Sequence, residues 1–334
     1  MKKTKLPKDY KPYLCTYETQ TAIGFINNNF EEQLKNRLEL KRVSAPLFVA
    51  AKTGLNDDLN GVETPVSFNI PALNREGEVV HSLAKWKRLA LHQYDFHIGN
   101  GLYTNMNAIR RDEILDNTHS VYVDQWDWER VISREERTLD YLKKVVQDIV
   151  DSICETEARV CAKYPNVPLK LSNQVSFITS QELEDLYPTL TPEQREHEYV
   201  REHPTTFIMQ IGGDLKSGTP HGQRAPDYDD WSLNGDILFW HEALGQALEI
   251  SSMGIRVDRD AMLKQLETAN ALHRLNYEFH QKVVDEILPL TIGGGIGQSR
   301  MCMLLLGNVH IGEVQVSLWD DETLSEAGED IKLL

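Results

Sequence analysis

Cysteine is scarce: four residues, Cys15, Cys154, Cys161 and Cys302, are scattered through 334. No two form a CxxC pair, which excludes a zinc ribbon or a thioredoxin-type site. They read as buried free thiols of a reducing compartment. Long apolar runs are absent too. Nothing approaches the ~18 consecutive apolar residues of a membrane span. The opening MKKTKLPKDYKPYL is basic but is followed by no apolar core, so it is no secretory signal. Positive charge is in short supply, with 35 Lys and Arg against 51 Asp and Glu, a net charge of −16. Such a surface repels phosphate backbones, which argues against nucleic acid as a partner. No repeat, low-complexity tract or Gly/Ser/Pro-rich linker divides the chain. The expectation is one cytoplasmic domain over 1–334, with 1–16 as an N-terminal extension. The eleven histidines have no metal-ligand spacing.

Of the patterns present, Ile23, Ile26, Phe30, Leu34 and Leu38 recur every three or four residues and predict an amphipathic helix. It leads into an extended segment, Val43 to Phe48, containing Pro46. Ser133 with Glu136 predicts a capped helix start, ahead of a stripe from Leu139 to Ile153. Thr191, Pro192 and Gln194 predict a third helix. One long fourth helix is expected through Met262, Leu266, Leu272, Leu275, Phe279 and Val283. Strands are expected at Val121–Trp126, Val175–Thr179, Thr206–Ile211, Asp236–Trp240 and Ala247–Ser251. They do not alternate regularly with helices, so the fold class is α+β, with a mainly antiparallel sheet of six to eight strands flanked by helices.

Polar chemistry concentrates in five segments: His81–Lys87, Ile109–Glu113, His119–Glu129, Glu249–Asp258 and Gly293–Arg300. In the last, glycines ahead of a helix would let backbone N–H groups approach an anion. The spacing GxGxG is a poor dinucleotide fingerprint and lacks the GK[ST] of a P-loop, so taken alone it reads as a turn. Arg300 at its end suits phosphate. Gln125 and Asp127 are two apart in a strand and share a face.

Together these segments resemble the catalytic core of class II aminoacyl-tRNA synthetases, especially the aspartyl and asparaginyl branch. The first helix with RVSAPLF is similar to motif 1, Arg110–Asp112 through Glu129 to motif 2, and GGGIGQSR to motif 3. Closer still is the resemblance to the bacterial ammonia-dependent asparagine synthetases. It is carried by HSLAKWKR, VYVDQWDWER, RAPDYDDW, LNGDIL, SSMGIRVD and TIGGGIGQSR, and runs from about residue 20 to the end. Motif 2 departs from the synthetases in having Tyr122-Val123 for its Glu–Phe pair, and motif 3 has Ser299 where glutamate is common.

The resemblance implies a class II synthetase fold, a homodimer, and aspartate, ATP, ammonia and Mg2+ as reactants and ion. By position it implies that Arg110 and Arg300 hold phosphates and that Lys87 serves as a further cation. Asp229, Asp236, Glu249, Ser252, Gly295 and Gly297 would line the nucleotide site, with Glu249, Ser252 and Asp236 on the metal. Gln125 and Asp127 would bind the amine, Ser82 a carboxylate, and Asp57 the ammonium. Asp58 is left as a loop acid, Asp230 as a solvated acid and Lys85 as a surface lysine. With Lys at position 2 and no Cys in a Cys/His-rich neighbourhood, free ammonia is favoured over glutamine. Two alternatives stand beside this reading: a synthetase-like ligase with another acceptor, and a non-catalytic amino-acid-binding paralogue.

Overall fold

The computed structural model describes residues 4, 6–57, 63–328 and 331–334. Asp58 and the first residues of the N-terminal extension (1–3 and 5) lie outside the described residues. In chain order the elements are α1 (Thr16–Arg37), β1 (Leu40–Arg42), β2 (Phe48–Ala50), β3 (Ser67–Ile70), β4 (Arg75–Val79), α2 (Ala84–Gln93), β5 (Gly101–Ile109) and β6 (Tyr122–Val131). Then come α3 (Leu139–Lys163), β7 (Ser176–Thr179), α4 (Ser180–Leu186), α5 (Pro192–Glu202), β8 (Thr205–Met209), β9 (Asp229–His241) and β10 (Gln246–Arg256). The chain closes with α6 (Arg259–Thr268), α7 (Glu278–Val284), β11 (Thr291–Gly297), α8 (Gln298–Leu306) and α9 (Asp321–Ala327).

Eight strands form one sheet in the order β1-β5-β6-β11-β10-β9-β8-β7. Only the outer pairs, β1 with β5 and β7 with β8, are parallel. The α+β, mainly antiparallel expectation therefore holds. A smaller sheet, β2-β4-β3, was not foreseen.

The central strands obey period two. Trp126 and Trp128 point to one face and are fully buried under α1, α3 and α8. On α1 the buried residues Ala22, Ile26, Phe30 and Leu34 follow the expected spacing. In α8 every residue from Met301 to Leu306 is buried. The opposite face of the sheet is left for Gln125, Asp127 and Glu129.

Helix α5 starts as expected, Thr191 Oγ1 accepting from Gln194 N at 3.3 Å. Two other helix predictions need correction. Ser133 and Glu136 do make their reciprocal bonds, at 2.8 and 3.4 Å, but these close an isolated turn. Helix α3 starts only after Thr138, because Arg137 is drawn out of the helical path to Asp258 (3.0 Å) and Asp230. The expected long fourth helix is two short ones, α6 and α7, with a 3-10 turn between them. Asn270, at φ 52°, takes the left-handed conformation that asparagine tolerates and ends the first run. Among the cysteines only Cys302 is buried; Cys154 and Cys161 are half-buried and Cys15, ahead of α1, is exposed.

Candidate active site

Strand β11 lies between β6 and β10, and its three consecutive glycines set the site's shape. A Cβ on Gly293 would sit 2.0 Å from Glu129 Oε2, one on Gly294 2.6 Å from Met253 Cβ, and one on Gly295 2.3 Å from Gln125 Oε1. The segment expected to be a turn is thus a strand interior, stripped of side chains so that its neighbours' side chains can lie across it.

A cavity of about 400 Å³ opens over this strand, within the range that holds a nucleotide-sized ligand. It is lined by Asp57, Ser82, Lys87, Arg110, Gln125, Asp127, Asp229, Glu249, Ser252, Gly295, Gly297 and Arg300. Of the residues singled out from sequence, only Asp236 stands back from it. Asp236 touches the cavity through Arg224, whose Nη2 donates to its Oδ1 at 2.5 Å.

The floor is a lattice of buried charge. Lys87, 1% exposed, donates to Asp127 and to the Gly294 carbonyl at 2.8 Å. Burial pushes its ammonium below the ordinary lysine value, against the pull of Asp127. Arg256 donates to Glu129 at 2.8–3.2 Å and also to Asp229. Thr291 Oγ1 adds a 2.7 Å bond to Glu129. Burial raises the Glu129 carboxyl, but Arg256 outweighs it and holds the group below 4.5, hence ionised. Asp127 borders the cavity, and its Oδ2 is buried without a hydrogen-bond partner.

Elsewhere in the cavity are cations with loose partners. Arg110 reaches Glu113 only at 4.0 Å. Arg300 donates to two carbonyls, Thr118 O at 3.3 Å and Glu249 O at 3.1 Å, and stands 3.9 Å from the Glu249 carboxylate. Two partly exposed guanidinium groups held by neutral or distant acceptors suit phosphate. Ser299 Oγ donates to Asp124 Oδ2 at 2.6 Å, which accounts for the missing motif 3 glutamate: a carboxylate at 299 would face Asp124.

The expected metal set does not fit. Arg224 donates to both Ser252 Oγ and Asp236 Oδ1, so a guanidinium already joins two of the three proposed ligands. Among the described residues no cluster of three His, Cys, Asp or Glu side chains has metal-site geometry. Glu249, the one of the three not held by Arg224, lies on the cavity wall with its side chain 44% exposed.

Ser82, expected to bind a substrate carboxylate, donates instead to Asp57 Oδ2 at 2.9 Å. Lys85 is corrected outright: it is 2% exposed and pairs with Asp227 at 3.2 Å. Asp230 is buried against Arg137, not solvated. Sequence reasoning also passed over Glu129, Arg224, Tyr228 and Arg256. The signal for Glu129 was present: an acid two residues beyond Asp127, among tryptophans, shares its face.

Comparison with known proteins accords with this architecture. The asparaginyl-tRNA synthetase of Pyrococcus horikoshii, solved with asparaginyl-adenylate, superposes with a TM-score of 0.65 at 13% identity, over 89% of this chain and 68% of that one. That of Entamoeba histolytica, also with asparaginyl-adenylate, gives 0.64 at 14% identity, over 90% and 66%. The chain therefore spans about two thirds of the length of these synthetases, and at such identity the likeness is one of fold. Aspartate–ammonia ligases are far closer in sequence. That of Pediococcus pentosaceus is 56% identical over 326 residues, 97% of each chain. That of Lactobacillus johnsonii is 54% identical over 332 residues, 98% of this chain and 99% of its own. The profile of the aspartate–ammonia ligase family matches residues 17–330, and the chain belongs to that family.

Proposed function

We propose that the protein joins L-aspartate and ammonia at the expense of ATP, through a β-aspartyl-adenylate, giving L-asparagine, AMP and pyrophosphate. The observation that carries this reading is one cavity with a buried ion lattice at its floor and two loosely paired arginines on its wall. The lattice suits an amino acid: the unpartnered Asp127 Oδ2, with Gln125 beside it, accepts from the ammonium of aspartate. The side-chain carboxylate then attacks the α-phosphorus of ATP. Arg110 binds the α-phosphate and Lys87 lies nearby as a second cation, while Arg300 takes the terminal phosphates. Donors fixed before reaction stabilise the developing charge without reorganising.

Glu249, Gly295 and Gly297 border the nucleotide. Asp229, already engaged by Arg256, shapes the floor between nucleotide and amino acid. Glu249 is the carboxylate that would hold a magnesium ion, which would supply neutralisation of the nucleotide phosphates. In the second step nitrogen attacks the acyl carbon, AMP leaves with the C–O electron pair, and Asp57 takes the proton that nitrogen must lose. The chain acts in the cytoplasm as a homodimer, with exposed Leu47 and Phe48 beside Pro46 on the shared surface. No helix among the described residues is long and apolar enough to cross a membrane.

Incubation with [18O]aspartate, ATP, magnesium and ammonium tests the reading: label must appear in AMP as asparagine forms. Asp57→Asn should keep aspartate-dependent ATP–pyrophosphate exchange and slow asparagine formation at least tenfold. An equal fall in both rates would remove Asp57 from its role.

A further inference from the structure

Behind the main cavity lies a second one of about 150 Å³, bordered by Thr53, Asn56, Glu78, Lys85, Asp227 and His280. It is about half the lower limit for an ordinary organic ligand, yet ample for molecules the size of water. Three pairs of adjacent residues form the partition between the two cavities. Asn56, Lys85 and Asp227 face the smaller one, and their neighbours Asp57, Ala84 and Tyr228 face the larger. The partition is therefore one residue thick, and the proposed proton acceptor Asp57 belongs to it. Gly54, at φ 74°, keeps the outer loop low: a Cβ there would meet the Tyr277 ring at 2.7 Å.

The lining is built and polar. Asp227 is fully buried and its Oδ2 accepts from Lys85 (3.2 Å), Arg274 (2.8 Å) and His280 Nε2 (2.9 Å). Burial pushes its carboxyl up, but Lys85 first, then His280 and Arg274, hold it far below the ordinary range, so it stays ionised. Its Oδ1 is buried without a hydrogen-bond partner, and so is His280 Nδ1. Both residues border the cavity. Among the described residues, Lys52, Lys85 and Arg274 and the carboxylates Glu78 and Asp227 also border it.

We propose that this second cavity is the entry and holding site for ammonia, which reaches the adenylate across the Asp57 partition. The inference rests on the proposed function. The partition residue Asp57 is reached from the main cavity on one side, and its neighbour Asn56 borders the second cavity on the other.

The test graduates a plug after folding. Thr53→Cys protein is labelled with methyl and then propyl methanethiosulfonate, with the identically treated wild-type chain as control for its own thiols. Glu78→Cys supplies an independent second site. Expected is a KM for ammonia that rises at least tenfold with the propyl label and is restored by reduction. Aspartate-dependent ATP–pyrophosphate exchange stays within twofold. An unchanged KM for ammonia on the stoichiometrically labelled protein overturns the proposal. So does a fall in exchange equal to the fall in amide formation, or an introduced thiol that even the methyl reagent cannot reach. Absence of exchange and of asparagine in the unlabelled wild-type protein would strike the proposed function instead.

Discussion

Replacing Glu129 by glutamine exchanges a carboxylate for an amide of the same size in the most buried ion pair of the site. Glu129 is 0% exposed and takes three N–H contacts from Arg256 and one hydroxyl from Thr291. Breaking a buried pair costs about 3–5 kcal/mol, because the surviving charge is left uncompensated. Asp229 still pairs with Arg256, and the amide oxygen still accepts one bond, so about 3 kcal/mol is expected. With an m-value of about 3 kcal/mol/M in urea, the unfolding midpoint falls by about 1 M. The same exchange at Glu155, which meets Arg37 and Arg159 at the surface, should cost under about 0.5 kcal/mol. The Glu129 carboxyl is held below its ordinary 4.5. Its stabilisation is therefore complete above that pH and is lost as pH falls through the lower folded value. The gap between wild type and Glu129→Gln should begin to narrow as pH falls below 4.5. Urea titrations at pH 7 and pH 3.5 decide the matter: a midpoint within 0.2 M (roughly 0.6 kcal/mol) of wild type at pH 7 would refute the lattice as a source of stability.

Arg110→Ala and Arg300→Ala should each lower kcat by about 10²–10³-fold, the cost of one preorganised donor to a developing oxyanion, with an unchanged melting temperature. A steady-state assay against ATP checks this, and a loss under about fivefold would count against the assigned roles. Gly295→Ala drives a methyl to within 2.3 Å of Gln125 Oε1, so KM for aspartate should rise while circular dichroism stays native. His241 and His310 are each pushed down to about 4 by burial, from an ordinary 6.5. Each accepts a backbone N–H, from Leu244 and Gly312, on a lone pair that protonation removes. Their stabilisation is full above pH 6.5 and falls between 6.5 and 4, by about 3 kcal/mol each at most. Urea midpoints across that range should decline, and less steeply in His241→Gln.

Helices whose fate is decided locally could be read from the chain. The apolar spacing of α1 and the Thr191–Gln194 box of α5 act within a turn or two, and both elements formed where expected. Reading failed where a distant partner decides. Ser133 and Glu136 bond as a capping box should, yet Arg137 is claimed by Asp230 and Asp258, far along the chain. Lys85 looks like any helix-surface lysine until Asp227, 142 residues away, is brought under it. In GLYTNMNAI, the strand β5 has no clean alternation, being buried along most of its length between β1 and β6. The site residues came from motif resemblance, and all but Asp236 converge on one cavity. Resemblance did not foresee Arg224 between Ser252 and Asp236, since no motif states what a guanidinium outside it will reach.

The side-chain-free middle of β11 makes three strands answerable to one another. A methyl at 293 has no room unless Glu129 shortens, and shortening Glu129 strands Arg256. A methyl at 295 needs Gln125 to withdraw from the pocket it borders. Single changes along this strand are therefore trapped, and drift there has to be concerted with positions more than a hundred residues upstream. Directed evolution of substrate choice should succeed sooner on the cavity's walls than along this strand.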